Sequence, residues 1–473
     1  FGCPDDVEEM DTSVHVENVP SRTAFIRGGY TEVVTYKDYQ RDRATTVLKC
    51  TREMKTNNLP PAKAMRVIGI QSGNAVDGID VGIFDFEPVQ RDGTDPRKVG
   101  SQLKYTTLAN KTFTFSPEQR NLVLGLRSLA LEDGNDYARG NYIMGEWMAD
   151  NALALMKEAN IDPDTVHLIG SHGQTVSGHP HWEFGDLSVI AQRTGITTCG
   201  DFRPADVAAG GNGTPCTCTY DSLMLRPEPG SKWRIAINIG GTSSVTFCPP
   251  LGTDPSVVPH GLDPGIGVFF MDLCTAVIDP SLEYDDEGKL ARSGTTNEEL
   301  LAQLLKNKYY DQDTLPIGVG PDDFPETLFK EWHALAKEMG VSDIDFLSTL
   351  VDHSTKQTAI ACAKFGGPNI VNGNFGDVIL RGGVTHNKYW VERLQFHIAE
   401  QCNGEVEKIL ILDDIGLSEE SWENAMYAMF GYLSFNNLYN FVPSCTGANR
   451  HVVGGRMAPG NNFAGISLLN ESQ

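Results

Sequence analysis

At 473 residues the chain exceeds one ordinary core, and two domains of roughly 200 residues are the natural expectation. A net charge of −24 weighs against nucleic acid and anionic membrane as partners, so bound phosphate would rest on backbone N–H groups, helix ends and metal. No apolar run approaches the roughly 18 residues that span a bilayer, and the scattered cysteines form no disulfide framework. A cytoplasmic enzyme with buried free thiols is the expectation. The close pair Cys216 and Cys218 has no second pair or histidine at zinc spacing.

Residues 1–63 are polar and proline-punctuated, and read as an N-terminal extension with at most weak elements of its own. An apolar strand at 66–70, a polar glycine-bearing turn at 71–78 and a second strand at 79–86 make a hairpin. From Tyr142 to Ala159, apolar residues including Met144, Trp147, Met148 and Met156 fall near helical spacing. Residues 166–170 read as a short buried strand, with 171–175 (SHGQT) turning off its carboxyl end, where ligands sit in open α/β sheets. The strand, glycine turn, strand pattern returns at 234–247, and Gly73 and Gly241 lie 168 residues apart. A repeat at one domain's distance predicts an α/β fold of two related lobes. The expected division is 64–232 for the first lobe, completed by about 430–473, and 233–429 for the second. Helices are expected at 300–306 and 345–364, and a strand at 378–380 leads into 381–387.

Glycine turns begin near Gly73, Gly173, Gly240, Gly265 and Gly382. Glycine lets a backbone approach a phosphate and aim successive N–H groups at it, although any one such turn is usually an ordinary hairpin. There is no Walker A motif and no G-x-G-x-x-G opening a helix, which disfavours P-loop and dinucleotide folds. Asp77 and Asp80 flank Gly78. Carboxylates beside a phosphate turn can hold Mg²⁺ through water, whereas the structural alternative makes Asp77 a turn residue and Asp80 an exposed strand residue. Residues 200–215 pack Asp201, Arg203 and Asp206 among glycines, a costly composition for a mere connection. A carboxylate there can take a proton from water or a hydroxyl. The structural reading of Asp206 is a helix N-terminus favourable to the dipole.

At these residues the chain resembles the anhydro-N-acetylmuramic acid kinases and their relative levoglucosan kinase, from about Arg66 to about Asn462. The resemblance rests on SGNAVDGID at 72–80, SHGQT at 171–175, IAQRTGIT at 190–197, the whole of 201–215, NIGG at 238–241, YDDEG at 284–288 and SCTGA at 444–448. It implies a two-lobed actin-like ATPase or hexokinase-type fold with duplicated mixed-sheet domains closing over ATP, Mg²⁺ and a small sugar, compatible with a homodimer. The implied reaction adds water at the anomeric carbon of a 1,6-anhydro sugar while the freed O6 takes the γ-phosphoryl group. Asp201 inherits the role of base, and His172, Gln174, Thr175, Arg203 and Asp206 would lie near the sugar. Gly73, Asn74, Asp77, Gly78, Asp80, Gly240, Gly241, Gly265, Gly267, Gly382 and Gly383 would line ATP, with Asp77 at the metal. Departures fall around the phosphates: Asn74-Ala75 replaces a Thr-Ser pair, Val268 an asparagine, Val384 a glycine, and Glu423-Asn424 a Lys-Glu pair, while 316–322 lacks the family's two basic residues. They predict weaker nucleotide affinity. Levoglucosan or another sugar as substrate stays open, as does a catalytically weak relative that only binds sugar or nucleotide.

Overall fold

The computed structural model describes residues 9–15, 30–38, 43–51, 64–73, 76–89, 102–128, 133–177, 181–254, 257–320, 323–404 and 406–468. The chain divides into two compact units, Phe1–Pro61 with Asn470–Gln473, and Ala62–Leu469. In the first, β1 (Glu9–His15), β2 (Tyr30–Asp38) and β3 (Arg43–Thr51) form an antiparallel sheet in the order β1-β3-β2. Runs such as Thr45-Thr46-Val47 supply the β-branched residues that such strands favour.

The second unit holds two sheets. One contains β4 (Met65–Ser72), β5 (Gly78–Val89), β6 (Gln102–Thr114), β7 (Leu168–Ser177), β8 (Trp182–Phe184), β9 (Thr198–Gly200) and, from the far end of the chain, Arg456–Ala458. The other contains β10 (Trp233–Ile239), β11 (Thr242–Cys248), β12 (His260–Ile266), β13 (Phe375–Arg381) and β14 (Lys408–Leu410); Arg456–Ala458 is β15. Each sheet opens with a three-strand antiparallel meander, and two later strands then add in parallel on the open side of its first strand. Both therefore have the strand order 3-2-1-4-5, as β6-β5-β4-β7-β9 and β12-β11-β10-β13-β14. The duplicated mixed sheet expected from the Gly73 and Gly241 repeat is present.

The apolar runs of β4, β5 and β7 are buried on both faces. One face packs on the helix Gly134–Glu158, longer at its start than the sequence pattern suggested and capped by the Asp133 side chain. The other receives the helix Trp422–Phe435, which lies directly on the strand backbones. A Cβ at Gly69 would sit 1.9 Å from the Asn424 carbonyl oxygen, and one at Gly170 would sit 2.2 Å from that of Tyr427. Only glycine permits that approach. The second sheet is covered by the helices Asp343–Phe365 and Lys388–Gln401. Where the two layers meet, Arg381 at the end of β13 pairs with Asp221 at 2.6 Å, both side chains 1% exposed, and lies 4.4 Å over the Trp422 ring. A buried pair of this kind costs several kcal/mol of desolvation per ion, so losing either partner leaves an uncompensated charge.

Candidate active site

The segment 171–175 does not turn off the end of its strand. β7 continues through it to Ser177, and the ladder with β4 slips by one residue there: Ile70 lies opposite Ser171, but Gln71 lies opposite Gly173. His172 is the extra residue of a β-bulge, and Gly173, at φ +79°, carries the positive dihedral the bulge requires. The bulge points the imidazole at Arg203, whose Nε and Nη2 donate to His172 Nε2 at 3.3 and 3.1 Å. Nδ1 of the same ring lies 3.2 Å from the Gly173 carbonyl, so the ring carries its proton there and accepts at Nε2. Burial, then the neighbouring Arg203 charge, holds its pKa well below the ordinary range and keeps it neutral. Tyr427 covers the ring at a 4.3 Å centroid distance. Gln174 is fully buried, with Oε1 accepting from Ser72 and Nε2 donating to the Thr175 carbonyl. It ties the first glycine turn to β7. Thr175 is half-buried and pairs with Glu183 of β8.

β9 ends at Gly200 and delivers Asp201 at φ +52°, a left-handed conformation that a non-glycine residue holds only under constraint. Its side chain is 25% exposed and pairs with Nε of Arg456 on β15. Burial raises its pKa, Arg456 opposes the rise, and Asp186 adds to it. The short helix Arg203–Ala208 follows. Arg203 Nη1 donates to the Gly213 carbonyl at 3.0 Å, and Nε lies 3.4 Å from Glu183 Oε1. Asp206 is fully buried: Oδ2 accepts from Gly213 N and Oδ1 from the Thr446 hydroxyl, both at 2.8 Å. It fastens the 210–213 loop to the 444–448 segment, so its place in the first turn of a helix is only part of its role.

Glu183 gave no signal in the sequence, where it sits in an ordinary hairpin stretch. Its side chain is 3% exposed, among the described residues neither oxygen has a hydrogen-bond partner beyond the residue's own backbone N–H, and its pKa is pushed up to about 7 by burial, with Arg203 opposing and the Asp201 charge adding.

The second group of residues lies around the glycine turns. Asn74 falls outside the described residues. Gly73 and Gly240 have nothing within 4 Å of a Cβ position, and neither has a positive φ; Gly383 is equally open, and Gly241 meets only Phe269, at 3.7 Å. Neither conformation nor packing calls for glycine at Gly73 or Gly240. Other glycines are structural. A Cβ at Gly78 would lie 2.5 Å from the Phe113 carbonyl oxygen, at Gly265 2.9 Å from Tyr310, and at Gly267 2.2 Å from the Gly240 carbonyl oxygen. Gly265 is not in a turn but within β12. Gly382 N–H donates to Glu419 Oε1 at 2.6 Å.

Asp77 is exposed. Asp80 is half-buried, accepting from Thr112 at 2.5 Å, and Gln71 Nε2 donates to Glu423 Oε2 at 2.6 Å and reaches Asp80 at 3.4 Å. Burial raises the pKa of both Asp80 and Glu423, and Asp77 adds to each. Glu423 was noted in the sequence as a departure, not as a member of this group. Through Glu419 and Glu423, one short stretch of chain touches both the Gly382 turn and the Gly73 hairpin. Among the described residues, no three His, Cys, Asp or Glu side chains converge as metal ligands.

Two sheets of one strand plan, with open glycine turns at their strand ends, make the duplicated mixed-sheet α/β fold of the actin and hexokinase type. The chain belongs to the anhydro-N-acetylmuramic acid kinase family, whose profile matches residues 65–460. It is 27% identical over 404 residues to the anhydro-N-acetylmuramic acid kinase of Caldanaerobacter subterraneus subsp. tengcongensis, covering 83% of this chain and 96% of that protein. With the protein of the same name from Acaryochloris marina it shares 30% over 410 residues, covering 83% and 99%. Overlays on solved structures are loose. On a ROK hexokinase from Thermus thermophilus the TM-score is 0.29 at 14% identity, covering 73% of this chain and 92% of that one, and the fold assignment rests on the strand order and the family instead. Among the described residues, no helix is long and apolar enough to cross a membrane.

Proposed function

We propose that the protein is an ATP-dependent kinase of 1,6-anhydro sugars, with Asp201 as its general base. The observation that carries this reading is Asp201 itself: a part-exposed carboxylate paired with Arg456, held in a left-handed backbone conformation two residues before the buried Arg203, with its basicity raised by burial. Asp201 takes a proton from water as the oxygen bonds to the anomeric carbon. The C1–O bond of the anhydro bridge breaks, and its electron pair stays on the oxygen that becomes O6. That oxygen attacks the γ-phosphorus, and ADP leaves. Arg203, held by His172 and Gly213, shapes the wall of the sugar site.

ATP phosphates would lie against Gly73 and the Gly240–Gly241 turn, where open backbone faces outward. Mg²⁺ usually keeps several waters and takes only one or two carboxylates, so exposed Asp77 with Asp80 and Glu423 behind it suits that ion. When bound, it would neutralise charge on the transferred phosphoryl group. In this reading the first lobe spans 64–232 and is completed by the end of the chain, and the second spans 233–429.

Replacing Asp201 by Asn keeps its size and removes the proton acceptor. Turnover of an anhydro sugar with Mg-ATP, followed as ADP release, should fall by roughly 10² to 10⁴ with little change in sugar or ATP binding. Equal loss of binding and turnover would reduce Asp201 to a positioning group.

A further inference from the structure

We propose that Glu183 is a positioning residue of the sugar site whose ionisation locks Arg203, and through it the Asp201 element, into the working geometry. This rests on the anhydrosugar kinase reading. Glu183 lies on β8, paired through Thr175 to the bulged strand that carries His172. Its oxygens are closed to solvent and, among the described residues, meet no donor except the residue's own backbone N–H, yet Oε1 stands 3.4 Å from Arg203 Nε. A buried carboxyl so poorly supplied with donors is costly in either charge state, and it gains most from closing those few tenths of an ångström onto a guanidinium.

Among the described residues, the groups around it are few. Arg203 faces it from the helix Arg203–Ala208, and His181 Nδ1, from the turn before β8, stands 4.0 Å from Oε1. Asp201 acts on it from the loop after β9, and Tyr427 on the helix Trp422–Phe435, whose pKa is raised chiefly by burial, also feels the Glu183 charge. His172 touches it only through Arg203. His181 Nε2 is engaged with the Asn212 carbonyl, so the imidazole anchors the same glycine loop that Arg203 holds at Gly213.

When Glu183 is ionised, three things follow. Arg203 gains a charge-assisted contact, and its remaining donors stay fixed on His172 and Gly213. The added negative charge makes Asp201 a stronger base. It also favours the positive charge that develops at the anomeric carbon as the bridge opens. Protonated Glu183 supplies none of these. Its carboxyl sits near pH 7, so the switch falls within the physiological range.

The test compares the intact protein with Glu183→Gln and Glu183→Asp, measuring kcat and KM for an anhydro sugar with saturating Mg-ATP from pH 5.5 to 8.5. In the unmodified protein, kcat should rise with a midpoint at about pH 7. Glu183→Gln should lose that limb and stay roughly tenfold below the alkaline plateau, with KM for the sugar changed less than about threefold. Glu183→Asp should keep a limb at a displaced midpoint. A purely structural role would lower every value while leaving the limb in Glu183→Gln, and that outcome overturns the proposal. If the unmodified protein turns over no anhydro sugar at any pH, the anhydrosugar kinase reading fails. Glu183 is then decided by ¹³C titration of its side-chain carboxyl together with the Arg203 Nε resonance. A midpoint near 7 that moves both signals supports the lock, and a midpoint in the ordinary carboxylate range sinks it.

Discussion

The glycines around Asp206 and three of those in the strand-end turns, Gly73, Gly240 and Gly383, are alike in sequence and opposite in surroundings. In the first region the space beside each glycine is taken. A Cβ at Gly211 would meet Asp206 Oδ2 at 2.2 Å, and one at Gly213 would meet the His181 ring at 2.7 Å. In the second region, Gly73, Gly240 and Gly383 look onto open space. The 210–213 loop is thus completed by the protein itself, wired by Asp206 and Arg203 into a fixed wall. The open turns at Gly73, Gly240 and Gly383 have no such filling. The same residue type marks a finished surface in one place and an unfinished one in the other, and only the neighbours tell them apart.

The sharpest way to break this contrast is Asp206→Ala. It leaves the Gly213 N–H and the Thr446 hydroxyl buried without their acceptor, and should cost about 3 kcal/mol of stability, seen as a lower Tm. An unchanged Tm with weaker sugar binding would mean that Asp206 faces the substrate and the wall is not self-completed.

Next in size is the pH dependence of stability at Glu183. Its folded pKa of about 7 lies above its ordinary 4.5, so the folded state holds a proton that the unfolded chain has already released. The favourable contribution is complete below pH 4.5 and is lost as pH rises through 7. The interval corresponds to about 3 kcal/mol for the ordinary pKa difference. Glu183→Gln should therefore melt at a higher temperature than the unmodified protein at pH 8 and lose that advantage at pH 5. Melting curves at the two pH values decide it; an advantage equal at both would show that Glu183 does not titrate in this window. With the expected pH dependence, the residue exchanges stability above neutrality for the lock on Arg203.

The smallest expected effect sharpens the other side of the contrast. Gly240→Ala meets no neighbour and needs no unusual φ, so stability should stay within about 0.5 kcal/mol, while the Kd for ATP rises roughly tenfold as the methyl fills the phosphate's approach. Calorimetric titration with ATP measures it. Gly267→Ala, whose methyl would strike the Gly240 carbonyl oxygen, should instead lower Tm. ATP affinity unchanged in Gly240→Ala would remove the phosphate role from that turn.

Much of this architecture was legible in the sequence because its signals are local. The β-branched runs at 66–70 and 234–239, each followed by a glycine turn, announced both hairpins and their repetition. The path of β7 through 171–175 was not, since a bulge is a property of pairing with β4 and leaves no mark in one strand's composition. What holds Asp206 did not show in the sequence, because its partners lie at Gly213 and, 240 residues on, at Thr446. Glu423 meets Gln71 from 352 residues away, a convergence that only the folded chain creates. Glu183 stayed silent for a different reason. A lone glutamate among His181, Trp182 and Phe184 carries no spacing to read, and its burial is decided by the sheet it joins.

The bulge at His172 decides where the cost of losing that residue would fall. Pairing with β4 runs on to either side of it, Ile70 with Ser171 and Gln71 with Gly173, so the ladder itself has no need of the extra residue. The one residue spent on the bulge lays its imidazole against Arg203, whose Nε and Nη2 donate to it. Deleting His172 would restore a regular ladder with β4 and leave two donors of a buried guanidinium without their acceptor, so the loss would be felt by Arg203 and not by the sheet. A strand can thus carry a side chain that serves its neighbour and contributes nothing to the strand's own pairing.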